Sequence, residues 1–133
     1  MNLRDEAHRP QVHFSAHRNW INDPNGLVFF DGEYHLFFQH NPFGSQWGHM
    51  SWGHAVSTDL LHWQELPLAI AEDERVSIFS GSVVVDAGNT SGFGDGSGPP
   101  LVAVYTGCLR RPEGGQAQEL AYSTDRGRSW TKY

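Results

Sequence analysis

The chain has 133 residues with 38% hydrophobic and 13% aromatic content, enough for one modest domain with a real core. Nine Lys and Arg stand against fifteen Asp and Glu, and the net charge of −6 excludes the basic face a nucleic-acid partner needs. No run of about eighteen apolar residues is present to span a membrane, and a lone Cys108 forms no internal disulfide.

Residues 1–12 read as an irregular lead-in. They are charged and lack the apolar centre of a signal peptide, so the chain as written is expected in the cytoplasm. A secreted or periplasmic location would require a leader ahead of Met1. Next comes Trp20-Ile21-Asn22-Asp23-Pro24-Asn25-Gly26. Its Asp-Pro-Asn-Gly core predicts a turn, with φ fixed at Pro24 and free to be positive at Gly26. Around that turn stand Trp20, Ile21 and the apolar run 27–30, so an ionised Asp23 there is costly unless hydrogen-bonded.

Strands are predicted over 27–30 and 34–39, joined by the hairpin signal Asp31-Gly32. A loop over 41–48 leads to a strand at 50–57 and a short one at 62–65. After an acidic loop at 72–75, a second unit has strands over 82–86, 101–106, 118–123 and 129–133. The Gly-, Ser- and Pro-rich stretch 87–100 reads as a long surface loop. The units share a landmark, Ser57-Thr58-Asp59 before Trp63 and Ser123-Thr124-Asp125 before Trp130. In it the Asp caps a turn and the Trp packs beneath, while in the second copy Gly127 supplies the special dihedral. Repeated four-stranded units with no competing helical period predict an all-β fold of propeller type.

Eight His invite a metal reading, but His35 and His40, like His49 and His54, stand an odd number apart. On a strand, odd spacing sends side chains to opposite faces, so neither a metal nor a cofactor is expected. Arg110 and Arg111 mark the surroundings of Cys108 as a surface loop rather than a nucleophile's site.

From about Arg9 onward the chain resembles the N-terminal part of glycoside hydrolase family 32, which holds the invertases, inulinases and levanases. The matching segments begin with 20–26, Phe37-Phe38-Gln39-His40-Asn41-Pro42 and Gln46-Trp47-Gly48. Trp52-Gly53-His54-Ala55, Phe79-Ser80-Gly81-Ser82, Tyr105-Thr106-Gly107 and the tail from Ala121 complete the match. The resemblance implies the first two blades of a five-bladed β-propeller, blade one at about 20–66 and blade two at about 78–133. The remaining blades and the family's C-terminal β-sandwich are expected to be missing.

The resemblance also implies that Asp23 is the nucleophile of a retaining, double-displacement glycosidase acting on terminal β-D-fructofuranosyl units of inulin, levan or sucrose. Asn22, Gln39, Trp47, Phe79 and Ser80 would then line the sugar pocket. Each also suits a plainer role: Gln39 a strand cap, Trp47 and Phe79 core aromatics, Ser80 a tight turn. The family's acid/base Glu before Cys and its Arg-Asp-Pro segment have no counterpart, so the chain alone is expected to be inactive. A fructosyltransferase on the same scaffold, and a non-catalytic carbohydrate-binding propeller or truncated pseudoenzyme, remain the alternatives.

Overall fold

The computed structural model describes residues 6–133, and residues 1–5 of the expected lead-in lie outside the described part. Among the described residues, eight strands form two four-stranded antiparallel meanders. The first contains β1 (Trp20–Phe30), β2 (Glu33–Asn41), β3 (Ser51–Ser57) and β4 (Gln64–Ile70). The second contains β5 (Val76–Val85), β6 (Leu101–Leu109), β7 (Gln116–Ser123) and β8 (Thr131–Lys132). The fold is all-β, and each sheet runs in simple sequence order, as propeller blades do.

Period-two patterning puts Phe37, Trp52, Ile78, Val83, Ala103 and Tyr105 on facing surfaces, where they form one buried core between the sheets. Trp130 closes this core edge-on against Phe37, with ring centroids 5.4 Å apart. The repeated Ser-Thr-Asp turns behave as expected. Asp59 accepts from the Leu61 and His62 amides and Asp125 from the Ser129 amide, while Trp63 and Trp130 donate to the carbonyls of Leu60 and Gly127. Arg128 in the second turn pairs with Glu33 of the first sheet at 2.6 Å, tying the sheets at that end.

Residues 6–19 are irregular but fastened to the first sheet. Phe14 lies on Phe38 with centroids 4.6 Å apart, and the His13 amide donates to the Leu61 carbonyl at 2.7 Å. Several strand boundaries differ from expectation. β6 runs on to Leu109, so Cys108 is a strand residue paired with Ser77 and Gln116 and not part of a surface loop. β4 continues past Pro67 because it is an edge strand, where a missing N–H costs little. β5 starts at Val76 because Ser77, Ser80, Gly81 and Ser82 dilute an apolar pattern that the facing β6 sustains. β8 is only two residues long because Asp125 holds Ser129 in the turn.

The largest correction concerns the Asp-Pro-Asn-Gly segment. It is not a turn but the middle of β1, which pairs with β2 on both sides of it. The turn-like residues are absorbed by two β-bulges, with Asn22 and Asp23 facing Gln39 and Gly26 and Leu27 facing Leu36. Gly26 does take a positive φ of 54°, and any Cβ there would come within 2.7 Å of Phe37 and Val83.

Candidate active site

A bulge of the same kind as the one at Asn22 and Asp23 lies on β5, where Phe79 and Ser80 together face Thr106. A bulge turns a side chain out of the regular alternation and re-aims it. Here the two bulges aim at each other. The Ser80 hydroxyl donates to Asp23 Oδ2 at 2.8 Å, and Asn22 Nδ2 donates to Asp23 Oδ1 at 3.3 Å. Trp20 Nε1 in turn donates to Asn22 Oδ1 at 2.7 Å and orients that amide.

Asp23 is exposed rather than sunk among apolar groups, so its charge costs little desolvation. The Ser80 hydroxyl, then the Asn22 amide, hold its carboxyl below the usual carboxylate range, and both donors are uncharged. The group is therefore an anion at neutral pH, with lone pairs presented to solvent.

A cavity of about 260 Å³ opens between the sheets at this point. Its lining brings together Asn22, Asp23, Gln39, Trp47, Phe79 and Ser80, all six residues the sequence singled out. Met50, Thr106 and Gln116 complete it, and Asp23 is the one ionisable group on it among the described residues. Volume does not distinguish this cavity, since one beside Leu68, Ile70 and Trp130 reaches about 380 Å³. Its chemistry does. A carboxylate, three amides and two hydroxyls share the lining with two aromatic side chains, a combination suited to a polyhydroxylated ligand with one apolar face.

The plainer roles can now be weighed residue by residue. Trp47 is 61% exposed and meets Phe79 edge-on with centroids 6.3 Å apart, so it is not a core aromatic. Gln39 is only 2% exposed, and its Nε2 has no hydrogen-bond partner among the described residues, so that nitrogen caps nothing. Ser80 serves a bulge and not a tight turn. Phe79 is held through its backbone, whose carbonyl accepts from Trp52 Nε1 at 3.0 Å, which gives Trp52 a part beyond packing.

Met50, Thr106 and Gln116 escaped sequence reading. Thr106 and Met50 sit inside or beside matched segments, whereas Gln116 carries no local signal.

The β5 bulge depends on Gly81. A Cβ there would lie 2.2 Å from the Val104 carbonyl oxygen and 2.5 Å from Tyr105 Cα, both backbone atoms that cannot swing aside. Gly81→Ala is expected to destabilise the fold by about 1–3 kcal/mol through overpacking. Urea unfolding checks this, and an unchanged midpoint would show that the two strands separate at no cost.

The site lies in a chain with well-defined relatives. A levanase from Bacillus subtilis (strain 168) is 59% identical over 129 residues, which cover 97% of this chain and 19% of the levanase. An extracellular exo-inulinase from Aspergillus awamori is 49% identical over 144 residues, covering 97% of this chain and 27% of that protein. The crystal structure of exo-inulinase from Aspergillus awamori matches with a TM-score of 0.89 at 50% identity, over 97% of this chain and 28% of that one. A beta-fructofuranosidase from Schwanniomyces occidentalis, solved with fructosyl-erythritol, matches at 0.86 and 44% identity, over 94% and 25%. The chain thus spans 19% to 28% of the length of these relatives. Residues 13–133 match the family model for the glycosyl hydrolases family 32 N-terminal domain, and to that family the chain belongs.

Proposed function

We propose that this chain supplies the nucleophile and much of the terminal-sugar pocket of a retaining β-fructofuranosidase. The observation that carries the reading is the exposed Asp23 carboxylate, held by Ser80 on a cavity walled by Gln39, Trp47 and Phe79. An Asp23 oxygen attacks the anomeric carbon of a terminal fructosyl unit as the bond to the leaving oxygen breaks. That oxygen takes a proton from a second carboxyl group, which we place in a part of the native protein outside these residues. Water, deprotonated by the same group, then releases fructose and restores Asp23. Asn22 and Gln39 read sugar hydroxyls, and Trp47 with Phe79 covers the apolar face.

The test is product analysis with levan, inulin and sucrose, using the native protein that carries this chain. Free fructose as first product supports the hydrolase. Longer oligomers from sucrose would mark a fructosyltransferase, and binding without turnover would mark a carbohydrate-binding propeller. Trp47→Ala should lower kcat/KM about tenfold, equivalent to about 1.4 kcal/mol of lost sugar cover. Unchanged kcat/KM for both sucrose and inulin would remove Trp47 from the pocket's working parts.

A further inference from the structure

Two bulges on different sheets place the Asp23 carboxylate and the Ser80 hydroxyl, and something must keep them in register. The side chain of Asn25 joins their neighbouring backbones. Asn25 is 3% exposed, and its Oδ1 accepts from the Gly81 amide at 3.2 Å. Its Nδ2 donates to the Asp23 carbonyl at 3.3 Å. One planar amide therefore spans from the residue after Ser80 to the backbone of Asp23. Asn25, with Pro24, is regularly paired between the two β1 bulges, and it stands opposite the fully buried Phe37 of β2. Phe37 and Val83 close over the adjacent Gly26, so the main chain carrying this amide has little room to shift.

We propose that Asn25 is a positioning residue for the chemistry at Asp23, its buried amide setting the reach between the Ser80 hydroxyl and the Asp23 carboxylate. This rests on the reading of Asp23 as nucleophile. The side chain lies behind the reacting group and off the cavity lining, so it acts through Asp23 and Ser80 and touches no substrate. Without the amide, the Gly81 N–H loses its partner and the β5 bulge is freed from β1. The Ser80 hydroxyl then no longer meets the carboxylate at bonding distance, and the nucleophile loses its aim.

The test compares Asn25→Ala, Ser80→Ala and the double variant in the native protein. A misplaced nucleophile of this kind costs about 10²-fold in kcat. KM should move far less, because the sugar contacts of Gln39, Trp47 and Phe79 remain. The acid limb of the kcat/KM profile should move upward in both single variants, since Asp23 loses its strongest neutral donor in each. The double variant should show no further movement, because Asn25 acts through Ser80. A residue that merely stabilises the fold would lower the unfolding midpoint and leave the acid limb in place.

Additive movement, or a wild-type acid limb with wild-type kcat in Asn25→Ala, overturns the proposal. Hydrogen exchange at the Gly81 amide of the unaltered protein supplies a measurement independent of folding in the variants. Protection supports the clasp, and free exchange overturns it. Asp23→Asn separates the two claims. If it is inactive while Asn25→Ala behaves as wild type, the clasp fails alone; if it turns over normally, the assignment of the nucleophile fails.

Discussion

Asp23→Asn in the native protein is expected to lose at least about 10³-fold in kcat, equivalent to roughly 4 kcal/mol of barrier. The amide has the shape of the carboxylate, and its oxygen can still accept from Ser80. Its nitrogen meets only the Asn22 amide, at a long contact in solvent, so the cost to the fold is small. What the amide lacks is the anionic lone pair that forms the covalent glycosyl-enzyme. Substrate should therefore still bind, and the unfolding midpoint should stay close to wild type. An aspartate that only shapes a bulge gives the opposite pattern, with unaltered turnover and some loss of stability. Measuring kcat and the unfolding midpoint on this one variant decides between the two.

How much of this was legible before the structure depends on the range of the interactions involved. The Ser-Thr-Asp turns were readable because their hydrogen bonds are local: Asp125 binds Ser123 and Ser129, and Trp130 binds Gly127. The identity of the six pocket residues came through resemblance, and the structure brings all six to one cavity. Their geometry did not come through. Asp-Pro-Asn-Gly has the composition of a turn, and only pairing with β2 on both flanks turns it into a doubly bulged strand. The cost of an ionised Asp23 expected from its apolar neighbours in sequence is small, because the residue is exposed and hydrogen-bonded to Ser80. Asn25 was invisible for a similar reason. Its partner Gly81 is 56 residues away, and nothing in the motif announces a bond across sheets.

The histidines show the same limit. Odd spacing separates histidines within one strand, whereas the fold joins His35 on β2 to His54 on β3. The rings are buried, and His35 Nδ1 lies 3.0 Å from His54 Nε2. His35 Nε2 has no partner among the described residues, so the arrangement that avoids an orphaned N–H has His35 Nδ1–H donating to His54. Both rings are then neutral. Each packs 3.4 Å from the Cβ position of Gly127, in the turn that Arg126 and Arg128 tie to Glu33. The pair is thus part of the joint between the sheets.

That joint is expected to be acid-labile. Burial, then the neighbouring His35 and Arg128, push His54 down to about 3 from an ordinary 6.5. His35 is lowered as well, mainly by burial, with Glu33 opposing and Arg128 and Arg126 reinforcing. The unfolded chain protonates both rings as pH falls through 6.5, and the folded chain does not. Stability is therefore fully present above pH 6.5 and declines toward about 3. For one such ring the decline is about 1.4 kcal/mol per pH unit, several kcal/mol over the whole range. Carboxylates do not confuse the upper part of this window. Asp59, Asp73, Asp86 and Asp125 are all held below 3.8, so their contributions are lost at lower pH. Urea unfolding between pH 7 and about 5 should show the wild-type free energy falling more steeply than that of His54→Gln. The glutamine offers His35 an amide partner but binds no proton in this range. Parallel curves for the two proteins would mean that the buried pair holds no pH-dependent share of the stability.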